Sequence, residues 1–269
     1  MNNCTGMKRL FLLCFMYLIF SSHELFLKTE NYYLNPNQTT ELFLFNGSFD
    51  NSENVITRDR IVDAKIIAAN DVIAPATSDY YDKGETTFLK FETKDPGTYV
   101  AGISTLPRMI DLSAEDFKDY LIHEGLLDMA DERKEKGIED QAAREKYSKH
   151  VKCILQVGDS RTEHYSSALG YPIEFVPMSN PYALASGGAL PCQLLVRGKP
   201  LQNIAVRSGY KKDGKLHSNE MVRTDENGIC QIPISSTGLW YVATIHMEES
   251  DEGEVDYESN WATLTFEIK

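Results

Sequence analysis

The chain has 269 residues, enough for one large or two ordinary domains, and its 42% hydrophobic and 10% aromatic content exclude a disordered polymer. Its formal charge of −13 argues against nucleic acid and anionic membrane surfaces as partners, since both are held by clustered Lys and Arg. Cations are not excluded by that charge.

The first element is a targeting segment. Lys8 and Arg9 precede an apolar run from Leu10 to Phe20, and Ser21 and Ser22 follow. That order is the one of a secretory signal peptide over residues 1–22. The run is too short to span a bilayer, which takes about 20 apolar residues, so no stable membrane insertion is expected after cleavage. Cleavage after Ser21 or Ser22 puts a histidine, His23, at or next to the mature terminus. It also removes Lys8 and Arg9 and no acid, which takes the charge from −13 to −15.

Residues 23–107 read as a β-sandwich domain. Leu25–Leu27 and Leu42–Phe45 are short apolar runs, and Leu89 and Phe91 alternate with Lys90 and Glu92. Turn signals separate them at Asn35-Pro36-Asn37, Asn46-Gly47-Ser48, Asp82-Lys83-Gly84 and Asp95-Pro96-Gly97. Residues 108–149 read as a helical bridge. Ser113 with Asp116 forms an N-terminal cap signal, Phe117, Tyr120 and Leu121 recur at helical spacing, and a break is expected near Gly137 before a second short helix. The dense mixed charge between Asp131 and Lys149 is a solvated face.

Residues 150–269 return to strands and form the second sandwich. Pro96-Gly97-Thr98-Tyr99-Val100-Ala101 is echoed by Thr237-Gly238-Leu239-Trp240-Tyr241-Val242-Ala243: a glycine turn feeds a strand whose aromatic packs between sheets. The Asn227-Gly228 turn before Ile229–Pro233 resembles the turn of transthyretin-like modules. The fold class is therefore mainly β: two tandem Ig-like or transthyretin-like β-sandwich domains with a helical insertion between them. Cys153, Cys192 and Cys230 remain after the signal, each in a strand-like setting. They read as buried small apolar residues, with one pair between neighbouring strands left open and unassigned.

Several stretches carry a family resemblance: His23-Glu24-Leu25-Phe26-Leu27, Tyr32-Tyr33-Leu34-Asn35-Pro36, Pro96-Gly97-Thr98-Tyr99, Phe117 with Tyr120-Leu121 and Glu124-Gly125-Leu126, Tyr147-Ser148-Lys149, Gly170–Pro177, Asn180–Leu184, His246-Met247 and Trp261–Phe266. In this order they resemble the NikM-like family, domain-of-unknown-function family 4198, of exported bacterial proteins. The resemblance implies a periplasmic or envelope location and a link to nickel or cobalt uptake. Some metal-linked members look His-rich after the signal, whereas this chain has His23 alone there.

The candidate chemistry follows. A terminal His23 chelates through its amine and one ring nitrogen, and His246, at the end of the strand Trp240–Ile245, supplies the second imidazole. Imidazole suits nickel, cobalt, copper and zinc, so one divalent transition metal ion is the expected cofactor. Glu24 and Met247 are further donors, though Met247 also suits packing. The bland alternative makes His23 a polar strand start and His246 a hydrogen-bonded edge residue. Seven acids between Glu248 and Glu258 lack EF-hand spacing and read as a solvated hairpin loop. His123, His150, His164 and His217 lack ligand spacing and read as surface or edge residues. No nucleophile elbow, zinc-protease or phosphate-loop motif occurs, so an enzyme is not expected. The expectation is an exported non-enzymatic protein that binds a divalent metal and hands it to a membrane metal transporter or an envelope protein. The alternative is an envelope structural or interaction module that presents its loops to a protein or polysaccharide without metal.

Overall fold

The computed structural model describes residues 24–269; the expected targeting segment over residues 1–22 and His23 lie outside the described residues. The chain is mainly β and layered as β-sandwiches, with two helices inserted between strands, as the sequence predicts. We number the strands of five residues or more. They are β1 (Glu24–Lys28), β2 (Thr39–Gly47), β3 (Ile61–Ile67), β4 (Thr86–Glu92), β5 (Gly97–Thr105), β6 (Arg108–Leu112) and β7 (Ala143–Val157). In the second half come β8 (Ile173–Pro177), β9 (Ala189–Val196), β10 (Ala205–Lys212), β11 (Ile229–Pro233), β12 (Gly238–Glu249) and β13 (Tyr257–Ile268).

A first sheet runs β1-β2-β4 and ends on the short strand Tyr80–Lys83. A third sheet joins β8, β9 and β11. Between them lies a long central sheet in the order β10-β12-β13-β7-β5-β3, to which both halves of the chain contribute. Its axis is the parallel pair β7–β13, from Glu145 opposite Tyr257 to Cys153 opposite Thr265.

Alternation along these strands separates the two faces. Thr263 and Thr265 of β13 donate their hydroxyls to the carbonyls of Leu25 and Leu27, so the outer edge of β1 rests on one face. Lys152 of β7 points the other way, into the third sheet, where Nζ donates to Glu174 at 2.9 Å and to the Phe175 carbonyl at 2.9 Å. Burial on both faces explains why β7 reads Val-Lys-Cys-Ile-Leu-Gln-Val in its second half instead of apolar-polar alternation. The glycine-led strands behave as expected: Tyr99 and Trp240 are fully buried, in β5 and β12 of the central sheet.

The bridge differs from its expected form. Helix α1 (Ala114–His123) is capped by Ser113, whose Oγ accepts from the Asp116 amide, and α2 (Leu127–Glu135) follows after one turn. The break falls at Gly125, which sits at φ +76° while Leu126 N–H returns to the Leu121 carbonyl. This is a glycine C-cap closure. Gly137, at φ +67°, lies just beyond the end of α2. The flanks of the bridge are strands: β6 pairs antiparallel with residues 143–147 of β7. Phe117 and Leu121 of α1 pack with Ala143, Met247 and Tyr257, which fixes the helices on the central sheet.

All three cysteines are free and buried. Cys192 and Cys230 are cross-strand partners in β9 and β11. The acidic run is a β12–β13 hairpin loop, partly neutralised by Lys146 against Glu252 and Lys136 against Glu249.

The Lys152–Glu174 pair is almost completely buried, and the Glu174 carboxylate also accepts from the Leu169 and Gly170 amides. Removing one partner leaves an uncompensated buried charge. Lys152→Ala is expected to lower the unfolding free energy by about 3–5 kcal/mol in denaturant titration.

Candidate functional site

His246 of β12 stands opposite Asn260 of β13, on the face of the central sheet turned away from β1. Its side chain is 13% exposed, its Nε2 lies 3.9 Å from Glu248, and burial lowers its pKa. A neutral imidazole is the form that binds metal. The Glu248 carboxylate is itself held by Arg197 at 2.5 Å. Met247 points to the other face and packs against the helices. His23 lies outside the described residues. Among the described residues, no group of three or more His, Cys, Asp and Glu side chains is placed to hold a metal ion.

Glu24 is not brought to His246. It meets Arg207 of β10 at 2.5 Å, and Arg207 pairs across the strand with Ala243, on the opposite face from His246. Arg207 also pairs with Glu124, whose side chain is fully buried at the end of α1 and whose Oε1 lies 2.9 Å from His123 Nδ1. Burial raises the Glu24 pKa against the pull of Arg207, and hydrogen bonding to Glu124 raises that of His123.

A second polar group adjoins this one. Glu145 of β7 accepts from Ser259 and from Tyr120 of α1, and burial raises its pKa. Lys149, two turns of the pleat further on, is 4% exposed, and burial followed by Arg60 lowers its pKa to about 7. Its Nζ lies 3.1 Å from Asn46 Oδ1 of β2 and 5.6 Å from the Trp261 ring. Local pattern barely marks this cluster, because Glu124, Glu145, Lys149 and Arg207 stand among surface-like charged neighbours. The signals that do exist are Glu24, Glu124-Gly125-Leu126 and Tyr147-Ser148-Lys149, which stand inside the family resemblance.

His150 corrects an expectation. It is 2% exposed, not a surface or edge residue, because its strand is covered on both faces. Nδ1 pairs with Ser104 at 2.9 Å, and Nε2 lies 3.1 Å from both Ser148 and Asn260. Burial pushes its pKa down to about 4, so it stays neutral near pH 7.

The open edge of the central sheet offers a different kind of site. Only Ile66 and Ile67 of β3 pair outward, with the short strand Val72–Ile73; no strand among the described residues pairs with the outer edge from Ile61 to Lys65. Arg58, Ile61, Val62, Asp63 and Ala64 face Pro75, Thr77 and Tyr80 across a groove of 170 Å³. Val62 is 57% exposed, and the buried Tyr80 hydroxyl has no hydrogen-bond partner among the described residues.

A family model described as "Domain of unknown function (DUF4198)" matches residues 20–248, most of the chain. No curated protein matches it. Among solved structures, the D0-D1 domain of intimin aligns with a TM-score of 0.24 and 12% identity, over 89% of this chain and 96% of that one. Escherichia coli alpha-2-macroglobulin activated by porcine elastase aligns at 0.24 and 8% identity, over 90% of this chain and 20% of its own. A DUF4785 family protein from Legionella pneumophila aligns at 0.24 and 7% identity, over 80% and 50%. These TM-scores are too low to assign a shared function.

The His150 shift has a defined sign. Its folded pKa lies below the unfolded value of 6.5, so the unfolded chain binds the proton first and stability is lost as pH falls from 6.5 towards 4. The loss expected from this residue is about 3 kcal/mol, read by urea unfolding at stepped pH, and His150→Asn should remove that part of the slope.

Proposed function

The chain belongs to the DUF4198 family, and from the geometry of its described residues we propose that it is an exported, non-enzymatic interaction module that takes up an extended segment of an envelope protein at the open edge of β3. The observation that carries this reading is the unpaired backbone of residues 61–65 lying along a groove. Such an edge offers a row of N–H and C=O groups to an added strand, while pockets for alternate side chains give selectivity. Exposed Val62 supplies an apolar anchor, and Arg58 supplies a polar one. The register shift between Ile61 and Asp63, together with the Asp63–Lys65 ion pair, disfavours a long, flat pairing with a second copy. A short segment of a different protein fits these constraints better.

A second reading keeps the divalent metal. It rests on His246, which burial holds neutral beside Glu248, with His23 as the other nitrogen donor and a membrane metal transporter as the recipient. Nickel, cobalt, copper and zinc all suit such a donor pair.

The two readings separate experimentally. A photo-cross-linker placed at Thr77, across the groove, is expected to give one discrete adduct in the envelope, and Val62→Asp should reduce its yield about tenfold by breaking the apolar contact. No adduct, or one that persists in Val62→Asp, overturns the strand-edge reading. For the metal reading, the exported chain should begin at His23 and carry about one transition ion, lost in His246→Ala. A chain that stays metal-free in the presence of nickel, cobalt, copper or zinc removes that site.

A further inference from the structure

From the placement of Lys149 against Asn46 we infer that these two side chains join in an intramolecular amide bond, which ties the first sheet covalently to the central sheet. Three lysines are buried among the described residues: Lys28, Lys149 and Lys152. Lys28 donates to the Phe49 carbonyl, and Lys152 is neutralised by the Glu174 carboxylate. Lys149 donates to a carboxamide, with Nζ 3.1 Å from Asn46 Oδ1. That separation brings the nitrogen close to the carbonyl carbon it must attack.

The surroundings favour the reaction. The Trp261 and Tyr147 rings stand 5.6 and 5.5 Å from Nζ and limit the access of water. Burial lowers the Lys149 pKa to about 7, so a large share of the amine is unprotonated and nucleophilic at neutral pH. Asn46 is held by the pairing of β2 with β1, where it stands opposite Leu25. Glu24, the preceding residue of β1, is a largely covered carboxylate whose charge acts on Lys149, a placement that suits it to pass a proton.

The chemistry balances without an oxidant or a cofactor. The unprotonated Nζ attacks Cγ of Asn46 to give a tetrahedral intermediate. The Cγ–Nδ2 bond breaks, a proton originally on Nζ is relayed to Nδ2, and ammonia leaves. The products are one secondary amide and one ammonia. The linked residues are 103 positions apart, so the bond closes a long loop and joins β2 to β7 across two layers. This differs from the interaction function proposed above and stands or falls separately from it. Its effect would be resistance to unfolding under stress in the envelope.

The test is the intact mass of the exported, folded full chain, reduced and denatured, with its amino terminus defined by peptide mapping. The expected mass is about 17 Da below that of the linear sequence, the loss of one ammonia, with a branched peptide joining residues 46 and 149 after digestion. Asn46→Ala and Lys149→Met should each restore the full mass. Glu24→Gln should slow the cross-link when the freshly refolded chain is followed over time. The wild-type mass decides the matter even if a variant fails to fold. A full mass with linear peptides covering Lys149 and Asn46 overturns the inference, and so does a deamidated but unbranched Asn46.

Discussion

The parallel pairing of β7 with β13 is the constraint on which the other layers depend. Both strands are central in their sheet, and both of their faces are covered. Each residue along them must therefore satisfy an interior environment on one side or the other. Apolar positions such as Val151, Cys153, Leu264 and Phe266 do so by packing. Polar positions need partners at fixed places: Lys152 requires Glu174, His150 requires Ser104 and Asn260, and Thr263 and Thr265 use the free carbonyls of β1. Buried polar groups are stabilising only when paired, so each of these bonds also fixes the position of a neighbouring sheet. The threonines have a second consequence. They occupy the outer carbonyls of β1, which would otherwise form another open strand edge.

The interior charges are distributed unevenly between the two faces of the central sheet. The face under the third sheet holds one compact ion pair with its backbone donors satisfied. The face shared by β1 and the helices holds a spread of charges: Glu24, Glu124 and Arg207 in contact, with Glu145 and Lys149 close enough to influence each other's protonation. Desolvation raises the carboxyl pKa values and lowers that of Lys149, which moves these groups towards their neutral forms. A cluster of this kind is weak evidence for stability, since well-packed apolar residues of similar size often serve as well. It is better matched to chemistry that uses an uncharged amine, and it lies where β1 enters the fold. The open edge of β3, by contrast, lies at the far side of the same sheet, so recognition and interior chemistry occupy separate places.

Much of the fold was legible in local pattern. The apolar runs at Leu25–Leu27 and Leu42–Phe45, the alternation at Leu89 and Phe91, and the glycine-led strands at Tyr99 and Trp240 all announce themselves by short-range spacing. So does the Ser113 cap, because a hydroxyl three residues before an acidic amide is a local event. In sequence, residues 143–149 resemble part of a helical bridge because the inward residues of this strand, Glu145, Tyr147 and Lys149, are polar or amphipathic. Their burial depends on Ser259, Trp261, Asn46 and Tyr120, each far away in the sequence.

The sequence by itself determined the class of fold, the position of the helical insertion, the solvated acidic hairpin and the family, because each is written in composition, period or a contiguous motif. Only the tertiary structure decided that both halves share one central sheet, that His246 and Glu24 face opposite sides of it, that His150 is interior and that Lys149 meets Asn46. These are facts of strand order and side-chain face. A strand presents alternate residues to opposite faces, so the identity of a partner is set by which strands lie side by side, and no local spacing encodes that order.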